Sequence, residues 1–274
     1  MKLVYFGDVV GKSGRVALQK HLPRVIEHLN PDFIIVNGEN AAHGFGITEK
    51  ICKQFFDMGV DVVTTGNHVW DQREIINFIG DEPRLLRPLN YPELTPGNGS
   101  GVFESRNGER VLVAQVMGRL FMDSLDDPFV AIDRVLEKSK LRSHFDCAVI
   151  DIHAEATSEK MAFGHYLDGK VSMVVGTHSH IPTADAQILN KGTGYQTDLG
   201  MCGDYDSVIG MKSNIAIDKF MKKMPSERLS PADGEGTICG IYLETNNQTS
   251  MASKIDPIRL GGRLKNYMPD NKKS

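Results

Sequence analysis

The chain has 274 residues, 41% of them hydrophobic, which is enough to bury a full core in one large domain. Lys and Arg number 31 against 35 Asp and Glu, a formal net charge of -4, which excludes the broad basic surface of a non-specific nucleic-acid binder. Four scattered cysteines, Cys52, Cys147, Cys202 and Cys239, form no disulfide framework, and Asp8 interrupts the first apolar run too early for a signal peptide or a membrane span, so a cytoplasmic protein is expected.

In chain order, Leu3–Phe6, Phe33–Val36 and Val60–Thr64 are short runs rich in Val and Ile, each closed by Gly or polar residues, and they read as buried strands. Leu18, Leu22, Val25, Ile26 and Leu29 mark one face of a helix between the first two, with Pro23 threatening a kink. The β-α-β-α-β order predicts a mainly parallel sheet. Val102–Ser105 and Arg110–Val116 flank Asn107-Gly108, a tight-hairpin signal, and predict a second sheet with antiparallel pairs. Cys147–Ile152 and Val171–Val175 read as further buried strands, and Thr237–Glu244 with Ser250–Ile258 as a closing hairpin. From about Asn266 the chain is polar and expected to fray.

Ligands of α/β sheets bind outside the carboxyl ends of the strands. Five exits deliver Asp8, then Glu39 with Asn40, then Asn67 with His68, then His153, then His178 with His180. Singly, Asp and Asn cap helices and His packs as a structural residue. A run of five exits that all present oxygen or imidazole donors points instead to divalent metals. Two ions about 4 Å apart would clamp one phosphate, and a carboxylate is their natural bridge. Bound water with a pKa of about 7 would then supply a nucleophile without a protein base. Two dications, two carboxylates and one hydroxide sum to about plus one, a charge that attracts phosphate.

Gly7-Asp8, Gly38-Glu39-Asn40, Gly66-Asn67-His68, His153 and Gly176-Thr177-His178-Ser179-His180 resemble the motif series of calcineurin-like metallophosphoesterases over nearly the whole chain. More narrowly, Gly7-Asp8-Val9-Val10-Gly11, Asn37 through Gly44, Gly66 through Asp71 and His153 through Lys160 resemble the YmdB-like branch, which is associated with hydrolysis of 2′,3′-cyclic nucleotides. The resemblance implies an α/β metallophosphoesterase-like four-layer α-β-β-α sandwich with two mixed sheets, a single domain over residues 1–265 and a polar tail over 266–274. It also implies the division of labour. Glu39 bridges, Asp8, Asn40 and His180 complete one metal site, Asn67, His153 and His178 complete the other, and His68 is the general acid beside a metal-bridging hydroxide. His68 in a purely orienting role is the alternative. The broader superfamily has Asp-x-His in its first block and a bridging Asp; here Asp8 is followed by Val9 and the bridge is Glu39, as in the branch.

The expected cofactors are two divalent or Fe-type ions, Fe and Mn first, with Zn, Mg or Co as substitutes, and the expected partner is a small nucleotide phosphodiester. No long nucleic-acid groove and no membrane are expected; the branch implies a homo-oligomer. Within the same chemistry a phosphomonoesterase or a nuclease stays open, and so does a regulatory metal-dependent nucleotide or RNA binder with little turnover. Several signals stay open too. His43, Trp70 and Asp71 either line the pocket or serve their own loops, whereas Gly7 through Ser13 imitates a phosphate-binding loop with one residue too few between its glycines and is discounted. An Asp of the Thr183-Ala184-Asp185 or Thr197-Asp198 segments is a candidate to orient a ligand His.

Overall fold

The computed structural model describes residues 1–222, 224 and 227–270. Its first half contains β1 (Lys2–Phe6), β2 (Asp8–Val9), α1 (Gly11–Leu29), β3 (Phe33–Asn37), α2 (Glu49–Asp57), β4 (Val62–Thr64) and β5 (Leu85–Leu86). Then follow β6 (Ser100–Glu104), β7 (Arg110–Met117), α3 (Pro128–Lys138), β8 (Cys147–His153), α4 (Thr157–Leu167) and β9 (Met173–Thr177). The remainder holds β10 (Gln187–Ile188), β11 (Gly194–Gln196), β12 (Met201–Cys202), α5 (Ser213–Lys222), β13 (Ile238–Thr245) and β14 (Ala252–Leu260).

Successive strand residues face opposite sides of a sheet, and here both sides are buried, which is why the strands read as unbroken apolar runs. In β1 and β3, Val4, Phe6, Ile34 and Val36 pack outward with Leu18, Leu22 and Val25 of α1. Their neighbours Leu3, Tyr5, Phe33 and Ile35 turn inward against Val111, Val149, Met173 and Val175 of the other sheet. On the far side, Ala148, Ile150 and Val174 meet Ile132 of α3 and Phe163 and Leu167 of α4. Three apolar layers therefore separate four structural layers, and the result is the α-β-β-α sandwich of metallophosphoesterases.

The first sheet has the order β14-β13-β1-β3-β4-β5 and the second β10-β11-β9-β8-β7-β6. β1, β3, β4 and β5 are parallel, as the β-α-β pattern predicts. The Asn107-Gly108 hairpin joins β6 to β7, but the centre of the second sheet is parallel, β7 through β8 and β9 to β11, with antiparallel pairs only at its two edges. The terminal hairpin lies in the first sheet, where β13 runs antiparallel to β1.

Helix α1 continues through Pro23 and ends where Asn30 takes a left-handed turn, its amide bonded to the Ile26 carbonyl. Thr48 caps α2 through the Ile51 amide, and Asp127 caps α3 through the Phe129 and Val130 amides. The expected fraying does not begin at Asn266. Tyr267 exchanges backbone hydrogen bonds with Arg259, the Pro269 carbonyl meets the His28 ring, and the Asp270 carbonyl accepts from the Lys254 ammonium. Residues 271–274 of the expected tail lie outside the described residues. No helix among the described residues is long and apolar enough to cross a membrane.

Candidate metal centre

All five strand exits converge. Ligand atoms of Glu39, His153 and His178 lie within 4.8 Å of one another, and so do those of Asp8, Glu39 and His180. Glu39 belongs to both groups. The amides fall beside them: Asn67 Oδ1 is 2.9 Å from His153 Nε2, which is itself 3.2 Å from Glu39 Oε2. Asn40 donates from Nδ2 to the Gly44 carbonyl and keeps Oδ1 free. Local backbone builds these positions. Asn37 Oδ1 accepts the Glu39 amide, and Gly66 passes so close that a Cβ there would sit 2.1 Å from Glu39 Oε2 and 2.4 Å from His153 Nε2.

Asp8, Glu39 and His153 are fully buried, and His180 nearly so. Burial and the neighbouring Glu39 charge push the Asp8 carboxyl well up from its ordinary value. Burial also works to raise Glu39, but His153, with His68 and His178, outweighs it and holds the carboxyl at about 2. His153 is the converse: burial would lower it, yet Glu39, Asp8 and Asp151 raise it to about 9. Burial and the adjacent His153 charge push His178 down to about 3. Glu39 and His153 thus favour one another's charged forms while burial opposes those of Asp8 and His178, and added cations would favour the ionised carboxylates and neutral imidazoles instead.

The donors fit two such cations. Asp8 Oδ1, Glu39 Oε1 and Asn40 Oδ1 are buried without a hydrogen-bond partner, one from each residue expected to bind through oxygen in the first site and its bridge. Buried oxygens are rarely left unpaired unless something else uses them. The donor set is carboxylate, amide and imidazole, which suits hard or borderline metals.

Behind these candidate donors lie two polar networks. Thr177 Oγ1 is 2.8 Å from His153 Nδ1 and donates to Asp151 Oδ1 at 2.8 Å. Asp151 Oδ2 accepts from Tyr5 at 2.6 Å and from Gln115 at 2.7 Å, so this belt joins both sheets under the site. Separately, Asp198 Oδ2 takes the Lys160 ammonium at 2.6 Å and both the amide and the hydroxyl of Ser179, which lies between His178 and His180. His178 and His180 both hold positive φ, 95° and 67°, so that segment needs outside support. His180 Nδ1 donates to the Ile209 carbonyl at 2.8 Å, which leaves Nε2 its lone pair.

His68 stands at the edge, its Nδ1 2.9 Å from Asp71 Oδ2 and its ring edge-on to Phe45 at 5.0 Å between centroids. Asp71 therefore serves His68. Trp70 packs in the outer core against Tyr91, and His43 is exposed. Asp185 holds Thr197, and Asp198 holds Ser179; neither bonds a ligand ring, contrary to the expectation for these two segments. Sequence reasoning missed Glu155, whose Oε2 is 3.2 Å from His178 Nε2, and it missed Asp151, Thr177, Lys160 and the Ile209 carbonyl in their supporting roles. Glu155 and Lys160 carried a signal as charges within the His153–Lys160 block, and Thr177 as a member of the Gly176–His180 motif; Asp151 and Ile209 carried none.

Two α-layers around facing mixed sheets, with carboxylates, amides and imidazoles gathered at one end, define a metal-dependent hydrolase of phosphate esters. The chain belongs to the YmdB-like protein family, whose model matches residues 4–258. It is 45% identical over 258 residues to the 2′,3′-cyclic-nucleotide 2′-phosphodiesterase of Bacillus subtilis (strain 168), covering 94% of this chain and 96% of that protein. Among solved structures, a hypothetical protein from Thermus thermophilus is 42% identical with a TM-score of 0.89, covering 96% of this chain and 100% of that one. A phosphatase from Mycoplasma pneumoniae is 32% identical with a TM-score of 0.88, covering 95% and 93%.

Proposed function

We propose that residues 1–265 form one catalytic domain that hydrolyses small phosphate diesters, 2′,3′-cyclic nucleotides first among them, in the cytoplasm. One observation carries the reading: two donor groups share Glu39, and His68 with its Asp71 partner opens on the same cleft. Asp8, Asn40 and His180 would hold one ion with Glu39, and Asn67, His153 and His178 the other. Iron or manganese suits these donors best. Such ions supply Lewis acidity toward phosphoryl oxygens and activate water at neutral pH.

The chain's own residues do the rest. Thr177 and Asp151 keep His153 in the form whose Nε2 faces the centre, and the Ile209 carbonyl does the same for His180. His68 gives a proton to the departing ribose 2′-oxygen, and Asp71 holds the ring and stabilises its charged form. Water and the cyclic diester become a nucleoside 3′-monophosphate with a free 2′-hydroxyl. The named activity of the Bacillus subtilis relative supports this choice of ester, and the buried thiols Cys52, Cys147, Cys202 and Cys239, all unpaired, accord with a reducing compartment.

The test is a panel of 2′,3′-cyclic nucleotides, a linear dinucleotide and a nucleoside monophosphate, with bound metal measured in the same samples. Metal-dependent release of 3′-monophosphate is expected. Cleavage of the linear diester or the monoester instead would reassign the enzyme, and tight binding without turnover would make it a regulator.

A further inference from the structure

The cleft has an apolar wall that metal binding does not need. It measures about 300 Å³, and Phe45, Ile209, Met211 and Leu229 line it together with the metal donors. That size lies at the small end of ligand pockets, enough for one small molecule beside the centre. The wall is built from segments that touch each other: a Cβ added to Gly44 would meet Met211 Cε at 3.1 Å. Phe45 stands edge-on to His68, so the wall begins beside the acid.

Ile209 is the informative member. Its φ is 48°, in the left-handed region that β-branched residues avoid, and its carbonyl holds His180. Glycine or asparagine would present the same carbonyl with less strain. The isoleucine side chain is nonetheless half exposed, at 50%, in the cleft. The backbone role leaves that side chain unexplained, while an apolar face presented to a ligand explains it.

We propose that this wall is a nucleobase platform, with Ile209 pressed against the base of the bound nucleotide. The proposal rests on the 2′,3′-cyclic-nucleotide reading above. The four side chains carry no strong hydrogen-bonding group, so the wall itself holds the base by its faces; of the polar groups beside it, Glu155 is turned to His178, Ser179 donates to Asp198, and the Arg228 guanidinium stands 5.7 Å from the centre of the Phe45 ring. Every base offers such a face, and recognition is therefore base-tolerant.

The experiment compares kcat/KM for the four 2′,3′-cyclic nucleotides with that for methyl riboside 2′,3′-cyclic phosphate, which has the same ester and leaving group but no base. The expected result is a preference for the nucleotides of roughly tenfold or more, with the four bases within about fivefold of one another. Ile209→Gly and Ile209→Asn should each erode the nucleotide preference severalfold while Tm holds or rises, because left-handed strain is relieved. Unequal folding is thereby removed as an explanation. Equal kcat/KM with and without the base, or a preference untouched in both variants, overturns the platform while leaving the activity in place. Discrimination above about 10² between bases also overturns it, since that requires an edge-reading group. Absence of hydrolysis on all five compounds sinks the parent reading and this one with it.

Discussion

Thr177 Oγ1 sits 2.8 Å from His153 Nδ1, and its one proton is already directed to Asp151. The imidazole must then be the donor, so Nδ1 carries the hydrogen and Nε2, which faces Asn67 and Glu39, is the nitrogen left for the proposed metal. A hydroxyl on the strand beside His153 thus decides which ring atom can bind.

Thr177→Val keeps the size and deletes this relay. The buried Asp151 loses a donor and the Nδ1 proton loses its acceptor, a loss of about 1 to 3 kcal/mol. Metal affinity should fall by about 10- to 100-fold. Thr177→Ser should restore both, in urea titrations and in metal competition against a chelating dye. Unchanged affinity in the valine variant would show the relay to be idle.

Lys160 and Asp198 form an ion pair with both side chains about 1% exposed. Lys160→Met strands a buried carboxylate, and the expected destabilisation is about 3 to 5 kcal/mol. Adding Asp198→Asn should recover part of it. Additive losses in the double variant, read by denaturant midpoints, would contradict the pairing.

For the metal-free protein, two pH trends should oppose each other. His153 is raised from 6.5 to about 9 in the fold, so its contribution is complete below pH 6.5 and is lost as pH rises through 9. That difference is at most about 3 kcal/mol. Metal uptake must expel the same proton, so metal affinity should climb over that window while metal-free stability declines. Thermal melts with and without metal from about pH 6 to about pH 9 test this; parallel slopes would contradict it.

His68→Asn should cut turnover of a ribose-leaving diester by about 10² or more while metal content holds. With a 4-nitrophenolate leaving group, which departs without a proton, the loss should be much smaller. Equal losses on both substrates would assign His68 to binding.

Much of the site was legible because strands buried on both faces leave polar residues only at their ends, where Asp8, Glu39, Asn67 and His178 stand out. The same rule hid Asp151, and the support role of Lys160 was obscured even though the residue lay in a recognised block. Asp151 lies inside β8 and reads as an interruption of a strand, and Lys160 lies on α4 where a lysine ordinarily faces water. Nothing local marks Ile209 as left-handed. The place of β13 and β14 beside β1 was hidden for another reason: pairing between the two ends of the chain leaves no trace in either segment.

Each donor group takes its carboxylates from the chain just beyond β1 and β3 of the first sheet and its imidazoles from the carboxyl ends of β8 and β9 of the second. Neither half supplies both the carboxylates and the imidazoles of a donor group. On the proposed function a complete metal site would form only once the halves have docked, and bound metal would act as a rivet that slows their separation. Stripping it should speed unfolding more than it slows folding, so the enzyme's lifetime in a metal-poor cell would shorten well before its shape changed.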